Sequence, residues 1–165
     1  MLKLVVLVSG GGTNLQAIMD AITVGDLDAN IALVIADREC YGLERARLAK
    51  IPTKLIDRKI YKEQLSQQLL ESIAEDCDLI VMAGFLSIIN KSFINKFENR
   101  IINLHPSLLP KFGGVGMWGM NVHKAVITAG ETKSGCTVHY VTEDVDAGQI
   151  ILQSEVAVLS DDTPE

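Results

Sequence analysis

Short apolar runs separated by helical patterns are the feature that most constrains the fold of this chain. Leu2–Val8, Ala29–Ala36 and Asp78–Ala83 carry few polar residues, which is typical of strands buried on both faces of a parallel sheet. Between these runs, apolar residues recur at helical spacing over Asn14–Thr23 and again from Ile60 to about Glu75. Strands that alternate with helices predict an α/β fold in which a mostly parallel sheet carries helices on both faces.

The remaining segments continue this alternation and then change character. The other predicted elements are helices at Gly42–Lys50, Ser92–Phe97 and Asn121–Ala129, strands at Thr53–Ile56 and Ile101–His105, and a long loop at Leu109–Gly119. Gly135–Thr142 and Gln149–Leu159 predict an antiparallel, hairpin-like addition to the sheet. We therefore expect residues 1–165 to form a single domain. The last four residues, 162–165, resemble the first turn of a helix, so we expect that a C-terminal segment of the natural protein is missing.

Composition excludes several classes of partner. A chain of 165 residues is long enough for one hydrophobic core. Its net charge of −6 argues against a nucleic-acid backbone as the main partner, because such proteins usually carry a basic patch. No apolar stretch approaches the length of a membrane-spanning helix, and the run after Lys3 is too short for a signal peptide. We therefore expect neither nucleic acid nor a membrane as a partner.

The cysteines indicate a reducing compartment. Cys40, Cys77 and Cys136 are three in number and scattered, and no Cys-x-x-Cys occurs. This pattern favours reduced thiols in a cytoplasmic protein and gives no sign of a zinc or redox site.

Asn103 and His105 are the most informative polar pair in the chain. They lie two residues apart in the predicted strand Ile101–His105, so their side chains share one face. Pro106 prevents the strand from continuing as a central member of a sheet. An amide donor and a titratable ring are thus brought together where a strand opens into a loop. Such a pair can hydrogen-bond a developing oxyanion and move a proton.

An acidic turn, Glu143–Gly148, could bring a carboxylate to this pair. Most such runs are solvated loops, but a carboxylate beside His105 would favour the imidazolium. The residues alone do not determine which acid of the turn reaches the ring.

Three consecutive glycines, Gly10–Gly12, separate the first strand from its helix. Glycines at this place let backbone amides approach a phosphate or carboxylate at the helix N-terminus. Asn14 could cap the helix or contact the ligand. The loop lacks the Gly-Lys-Ser/Thr of a P-loop, and Leu15 stands where a dinucleotide fingerprint has a third glycine. Asp37, at the end of the second run, stands where a ribose-binding acid would lie.

Four motifs of the chain together resemble a known enzyme family. They are Ser9–Gln16, Ala83–Phe85, Asn103–Pro110 and Asp146–Gly148, and they occur in the order typical of phosphoribosylglycinamide formyltransferases. The resemblance covers essentially the whole chain. It implies a Rossmann-like formyltransferase domain that uses 10-formyltetrahydrofolate as cosubstrate. The implied reaction transfers the formyl group to the amine of 5'-phosphoribosylglycinamide in de novo purine (IMP) biosynthesis.

The resemblance also implies site residues. Backbone groups of Gly12, Thr13 and Asn14 would hold the ribose phosphate, and Asn103, His105 and Asp146 would form the catalytic trio. The implied folate site is lined by Arg58, Leu86, Ser87, Ile88, Ile89 and Asn103, together with Thr142, Glu143, Asp144, Val145 and Asp146. Ser87 is a departure, because relatives often carry a basic residue there. The loop Phe112–Gly119 is longer than in some relatives.

In the implied mechanism, the ribonucleotide amine attacks the formyl carbon directly. Asn103 and protonated His105 would stabilise the oxyanion, and Asp146 would keep His105 charged and help pass a proton. No metal or covalent intermediate is expected.

Three other interpretations share parts of this pattern. Formyltetrahydrofolate deformylase shares the trio, and methionyl-tRNA formyltransferase shares the Asn-His segment but would need a further domain and a basic surface. A non-catalytic nucleotide-binding module could use Gly10–Gly12 and Asp37, but it would leave the Asn103–His105 pair unexplained.

Overall fold

The computed structural model describes residues 1–165, and the chain divides into two compact units, residues 1–101 and 102–165. The strands of the first unit are β1 (Leu2–Val8), β2 (Ala29–Ala36), β3 (Thr53–Leu55) and β4 (Leu79–Met82). Its helices are α1 (Thr13–Thr23), α2 (Tyr41–Leu48), α3 (Arg58–Tyr61), α4 (Leu65–Ser72) and α5 (Lys91–Lys96). The second unit contains β5 (Ile101–His105) from its second residue onward, α6 (Met120–Thr128), β6 (Lys133–Tyr140) and β7 (Ile150–Ala157).

A parallel sheet with the order β3-β2-β1-β4 forms the centre of the first unit. From β1 the chain continues to one side, through β2 and β3, and then crosses to the other side of β1 to form β4. The carboxyl ends of β1 and β4 therefore flank the topological switch point of these strands. Open α/β sheets bind their ligands at such a point.

Both faces of β1 are buried, as predicted for a central strand. Three of its residues, Leu4, Val6 and Val8, belong to an apolar cluster that also contains residues of α1 and α2: Leu15, Met19, Leu43 and Ala46. The intervening Val5 and Leu7 are 3% and 0% exposed, and they point to the opposite face because side chains alternate along a strand. The predicted α/β class, with a mostly parallel sheet, is confirmed.

Antiparallel pairing organises the second unit. β6 pairs with β5 on one side and with β7 on the other, both antiparallel, which confirms the hairpin-like addition. Gly148 lies in the connection between β6 and β7, where a Cβ atom would lie 1.7 Å from the carbonyl oxygen of Tyr140. Only glycine allows so close a return of the chain.

The prediction of one long helix from Ile60 to about Glu75 is wrong. The segment forms α3, a 3-10 turn at Lys62–Gln64 and then α4, which ends at Ser72. Lys62 adopts a φ of 47°, in the left-handed region that interrupts a helix. Ile60 is 74% exposed and does not join an apolar face. The other elements lie within two residues of their predicted bounds.

Residues 158–165 form only a turn, with no helix at Asp162–Glu165. Four residues with capping preferences are too few to close successive helical hydrogen bonds. None of the helices combines the length and the apolarity that a membrane crossing requires.

Replacement of Leu15 by alanine should reduce the free energy of unfolding by about 2–5 kcal/mol, because it leaves a cavity between α1 and β1. Leu15 is 0% exposed. Leu48 is 71% exposed, and Leu48→Ala is the matched control, with an expected loss below about 1 kcal/mol. Urea unfolding of both variants measures the difference, and equal losses would contradict this assignment of the core.

Candidate active site

β5 presents Asn103 and His105 on one face, together with two residues of β6. In the antiparallel register, Asn103 lies opposite His139 and His105 lies opposite Thr137. Directly opposite residues of such a pair point to the same side. His105 and His139 are 3% and 2% exposed, so the rings are almost completely removed from water. The predicted pair thus becomes a group of four neighbouring polar side chains.

The two ring nitrogens of His105 both face oxygen atoms. Nε2 lies 2.8 Å from the carbonyl oxygen of Phe112, and because a carbonyl only accepts, Nε2 carries a proton and donates it. Nδ1 lies 3.4 Å from Oδ2 of Asp146. A ring that is protonated on both nitrogens satisfies both oxygens, so the geometry suits an imidazolium beside a carboxylate.

Asp146 is the acid of the turn that reaches this ring. Its side chain is 9% exposed, and its φ of 56° turns the side chain inward from the left-handed region, which aspartate tolerates. The N–H of Gly114 donates to Oδ2 over 3.0 Å. Burial alone would raise the pKa of Asp146, but hydrogen bonds from His139 and Gly114 and the attraction of both imidazoles hold that pKa below its usual range.

His139 stands between the amide and the acid. Its Nδ1 lies 2.9 Å from the carbonyl oxygen of Tyr140 and donates to it. Its Nε2 lies 3.1 Å from Nδ2 of Asn103 and 3.6 Å from Oδ1 of Asp146. A neutral ring accepts an N–H from Asn103 through this nitrogen, whereas a charged ring donates toward Asp146. Whether Nε2 of His139 carries a proton therefore determines whether this nitrogen accepts from Asn103 or donates to Asp146.

No role for His139 is predicted from the sequence. Its position in an ordinary strand pattern gives no local signal of function. The available signal was the pairing of β5 with β6, because a residue opposite Asn103 must share its face.

Thr137 braces the loop that follows β5. This side chain is 0% exposed. Its Oγ1 donates to the carbonyl oxygen of Ser107 over 2.6 Å and accepts from the N–H of Leu109 and from Nε2 of Gln153. These hydrogen bonds fix the start of the loop that leads to Phe112, whose carbonyl oxygen lies against Nε2 of His105.

The residues before Asp146 form a compact surface turn. Oγ1 of Thr142 donates to the carbonyl oxygen of Asp144, and the N–H of Ala147 donates to the same atom. The four other predicted folate residues of this turn are exposed: Thr142, Glu143, Asp144 and Val145. Among the five, only Asp146 enters the histidine cluster.

In the first unit, the glycine loop leads directly into α1. The helix begins at Thr13 after Gly12, which has a φ of 71° and no side chain to cap it. Asn14 does not cap the helix, and both Thr13 and Asn14 are exposed. The N–H groups of this first turn have no acceptor within the helix. They are therefore available to an anion.

α2 fixes the orientation of the glycine loop. The N–H of Gly42 donates to the carbonyl oxygen of Gly10 over 2.9 Å, and Nε of Arg45 donates to that of Gly11 over 2.8 Å. In a trans peptide the N–H points away from the carbonyl. The N–H groups of Gly11 and Gly12 are thus directed away from α2. A Cβ on Gly12 would lie 2.6 Å from Cα of Gly42, so this packing requires glycine.

The predicted folate residues of the first unit differ in accessibility. Leu86 and Ile88, two residues apart, are 38% and 75% exposed, so two large apolar side chains of one short segment face the solvent. Ile89 is 7% exposed and belongs to the core. Arg58 is exposed at the start of α3, and the hydroxyl of Ser87 donates to Asp37.

Asp37 does not have the geometry of a ribose-binding acid. Its side chain is 0% exposed, and both of its oxygens accept hydrogen bonds from Arg38. One of them also accepts from Ser87. This carboxylate is already satisfied, so the interpretation as a nucleotide-binding module loses its acidic residue.

The cluster in the second unit supplies the groups that acyl transfer requires. The amide of Asn103 can donate to an oxyanion, and the imidazoles can donate or transfer protons. Asp146 provides a fixed negative charge beside them. No group of three or more histidine, cysteine, aspartate or glutamate side chains is arranged to hold a metal ion.

Comparison with known proteins agrees with this chemistry. The family model described as formyl transferase matches residues 2–165. A phosphoribosylglycinamide formyltransferase of Haemophilus influenzae is 43% identical over 100% of this chain and 77% of its own length. The trifunctional purine biosynthetic protein adenosine-3 of Bos taurus is 42% identical over 99% of this chain, which spans only 16% of that protein.

A solved structure extends the agreement to the fold. Glycinamide ribonucleotide transformylase 1 of Symbiobacterium toebii is 40% identical, with a TM-score of 0.92 over 99% of this chain and 77% of that one. The sheet and helices described above are therefore a Rossmann-like formyltransferase fold. With a family model that matches almost every residue and relatives above 40% identity, this chain belongs to the formyl transferase family.

Proposed function

We propose that this chain transfers the formyl group of 10-formyltetrahydrofolate to the amine of 5'-phosphoribosylglycinamide, a step of de novo purine (IMP) biosynthesis. The observation that carries the proposal is the buried cluster of Asn103, His105, His139 and Asp146. Relatives that carry the transferase name over nearly the whole of this chain support the same activity. The proposed partners are these two small molecules.

The glycine loop is the proposed site of the ribose phosphate. Gly12, Thr13 and Asn14 would bind it through backbone N–H groups at the N-terminus of α1. The way in which α2 holds the carbonyl oxygens of Gly10 and Gly11 supports this assignment, because it leaves the N–H groups directed outward.

The folate site is proposed on two segments. Leu86 and Ile88 supply exposed apolar surface after β4, and Arg58 supplies a positive charge for the carboxylates of the folate. The exposed turn Thr142–Val145 and the amide of Asn103 would contact the cosubstrate in the second unit. We assign Ser87 and Ile89 supporting positions, since the first is bonded to Asp37 and the second is buried.

In the proposed reaction, the amine nitrogen of the ribonucleotide forms a bond to the formyl carbon. The bond from that carbon to N10 of the folate then breaks. Negative charge develops on the formyl oxygen, which accepts hydrogen bonds from Asn103 and His105. Asn103 has a second N–H besides the one directed at His139. For His105, the formyl oxygen would replace the carbonyl oxygen of Phe112 at Nε2.

The proton balance of this reaction requires one transfer. The attacking amine loses a proton, and N10 of the departing tetrahydrofolate gains one. Asp146 would stabilise the charged form of His105 and accept the amine proton through water before it passes to N10. The pKa of Asp146, which is held below its usual range, keeps this carboxylate ionised at neutral pH.

The rival interpretations have less support. A deformylase would use the same trio to attack the formyl group with water. A methionyl-tRNA formyltransferase would need a basic surface for tRNA, whereas this chain has a net charge of −6. We further propose a cytoplasmic location, which three free cysteines support.

Formation of tetrahydrofolate, followed by absorbance, should depend on the ribonucleotide. We expect turnover only when both 10-formyltetrahydrofolate and 5'-phosphoribosylglycinamide are present, and we expect formylated ribonucleotide as product. Release of formate at the same rate without the ribonucleotide would identify a hydrolase instead and overturn the proposal.

Replacement of His105 by alanine should lower kcat about 10²–10³-fold, because an oxyanion donor is lost. Binding of the ribonucleotide, measured by calorimetry, should change less than about two-fold, since the proposed phosphate site lies on the glycine loop. Turnover near the wild-type rate, in a variant of unchanged melting temperature, would remove His105 from the mechanism.

Replacement of Asp146 by asparagine should weaken the dependence of the melting temperature on pH in the acid range. A carboxylate with a lowered pKa stabilises the fold fully above its unfolded pKa of about 4, and this contribution is lost as pH falls through the folded pKa. Between about pH 5 and pH 3, the melting temperature of the wild type should therefore fall more steeply than that of Asp146→Asn. Parallel curves would show that the ionised form of Asp146 is not preferentially stabilised by folding.

A further inference from the structure

The crevice at the topological switch point has two sides, and one side chain connects them. Ser9 follows β1 and begins the glycine loop, whereas the segment Gly84–Ile89 follows β4. The N–H of Ser9 donates to the carbonyl oxygen of Gly84 over 3.2 Å. Oγ of Ser9 accepts from the N–H of Leu86 over 2.8 Å. The two sides are thus joined where ligands of such sheets bind.

Asp37, at the end of β2, adds charge to this connection. Oδ2 accepts from the hydroxyl of Ser87 over 2.5 Å, and the guanidinium of Arg38 donates to both carboxylate oxygens over 2.9 Å. Its backbone carbonyl oxygen accepts from the N–H of Arg58 over 3.0 Å. Asp37 therefore contacts two segments that carry proposed folate residues.

The acid is ionised despite its burial. Burial alone would raise the pKa of Asp37, but hydrogen bonds from Arg38, Ser87 and Ser9 outweigh this effect and hold the pKa below its usual range. A buried charge with four donors resists displacement, because movement of any donor leaves part of the carboxylate unsatisfied.

The glycine loop and the segment after β4 differ in their other supports. The glycine loop has separate anchors on α2, where Gly42 and Arg45 bind its carbonyl oxygens. The segment after β4 places Leu86 and Ile88 at the surface, where apolar side chains gain nothing from folding alone. Loss of the carboxylate should therefore disturb this segment more than the glycine loop.

We propose that Asp37 is a positioning residue for the folate cosubstrate: by binding the hydroxyl of Ser87, it holds Leu86 and Ile88 in the orientation that receives the folate. This inference rests on the proposed function. It assigns Ser87 to the protein framework, since the only proton of its hydroxyl is donated to Asp37. The folate contact at this place is then made by the apolar neighbours of Ser87.

The first test compares Asp37→Asn with the wild type. We expect the KM for 10-formyltetrahydrofolate to rise about ten-fold or more, because charge-assisted hydrogen bonds are lost. The KM for the ribonucleotide should stay within about two-fold, since the glycine loop keeps its anchors on α2. Asp76→Asn is the matched control: Asp76 is also paired with a cation, Lys3, but it precedes β4 at the opposite end of the strands. Both of its KM values should be unchanged.

A second variant separates positioning from general destabilisation. Ser87→Ala should also raise the KM for 10-formyltetrahydrofolate. In the double variant Asp37→Asn/Ser87→Ala, the fold-increase of this KM should be smaller than the product of the two single increases, because both substitutions remove one shared contact. Calorimetric binding of tetrahydrofolate provides a readout that does not depend on turnover.

The outcomes distinguish this inference from the proposed function. If the wild type binds no tetrahydrofolate and transfers no formyl group, the proposed function fails. If the wild type does both, and Asp37→Asn and Ser87→Ala retain the wild-type folate KM and affinity, the positioning role of Asp37 is overturned. Equal rises of both KM values in Asp37→Asn would also overturn it, because they would indicate a general structural effect.

Discussion

The buried carboxylate of Asp146 between two imidazoles is the interaction on which the candidate site depends. At 9% exposure this side chain has lost most of its hydration, and an uncompensated charge would cost several kcal/mol. Compensation comes from a loop N–H at Gly114, from His105 on β5 and from His139 on β6. Because these donors belong to three different segments, one negative charge fixes the relative positions of the loop and both strands.

Strand register determines whether this cluster can form. Asn103 lies opposite His139 because β5 pairs with β6 in one particular antiparallel register. A slip of one residue would turn every side chain of β5 to the other face and would separate the amide from the ring. Thr137, opposite His105, secures the register from the loop side, because its hydroxyl binds backbone groups of Ser107 and Leu109. The pairing of Asn103 with His139 is therefore a consequence of sheet register, whereas Asp146 and its contact with Gly114 come from the loops beside the two strands.

Local sequence determined the elements and the pair on β5, whereas contacts between elements could not be derived from it. Apolar runs and helical spacing predicted β1, β2 and α1 because burial on a strand or helix imposes a short period. The break at Lys62 escaped prediction, since its φ of 47° occurs without proline or glycine. His139 and the bonding of Asp37 depend on which residues become neighbours after folding. The residue pattern of one strand contains no information on its partner strand, so contacts that arise from strand pairing could not be predicted.

Asp37 and Asp146 show that the partners of a buried acid determine what it can do. Arg38 keeps its charge at every physiological pH, and the serine hydroxyls around Asp37 do not titrate there. The bonds of Asp37 are therefore constant, which suits the fixing of a segment. The donors of Asp146 include His105 and His139, the only type of side chain whose unperturbed pKa lies near neutrality. In the proposed mechanism, this acid is part of a proton path. The distinction lies in the donors, since both acids are ionised, nearly buried and held by several hydrogen bonds.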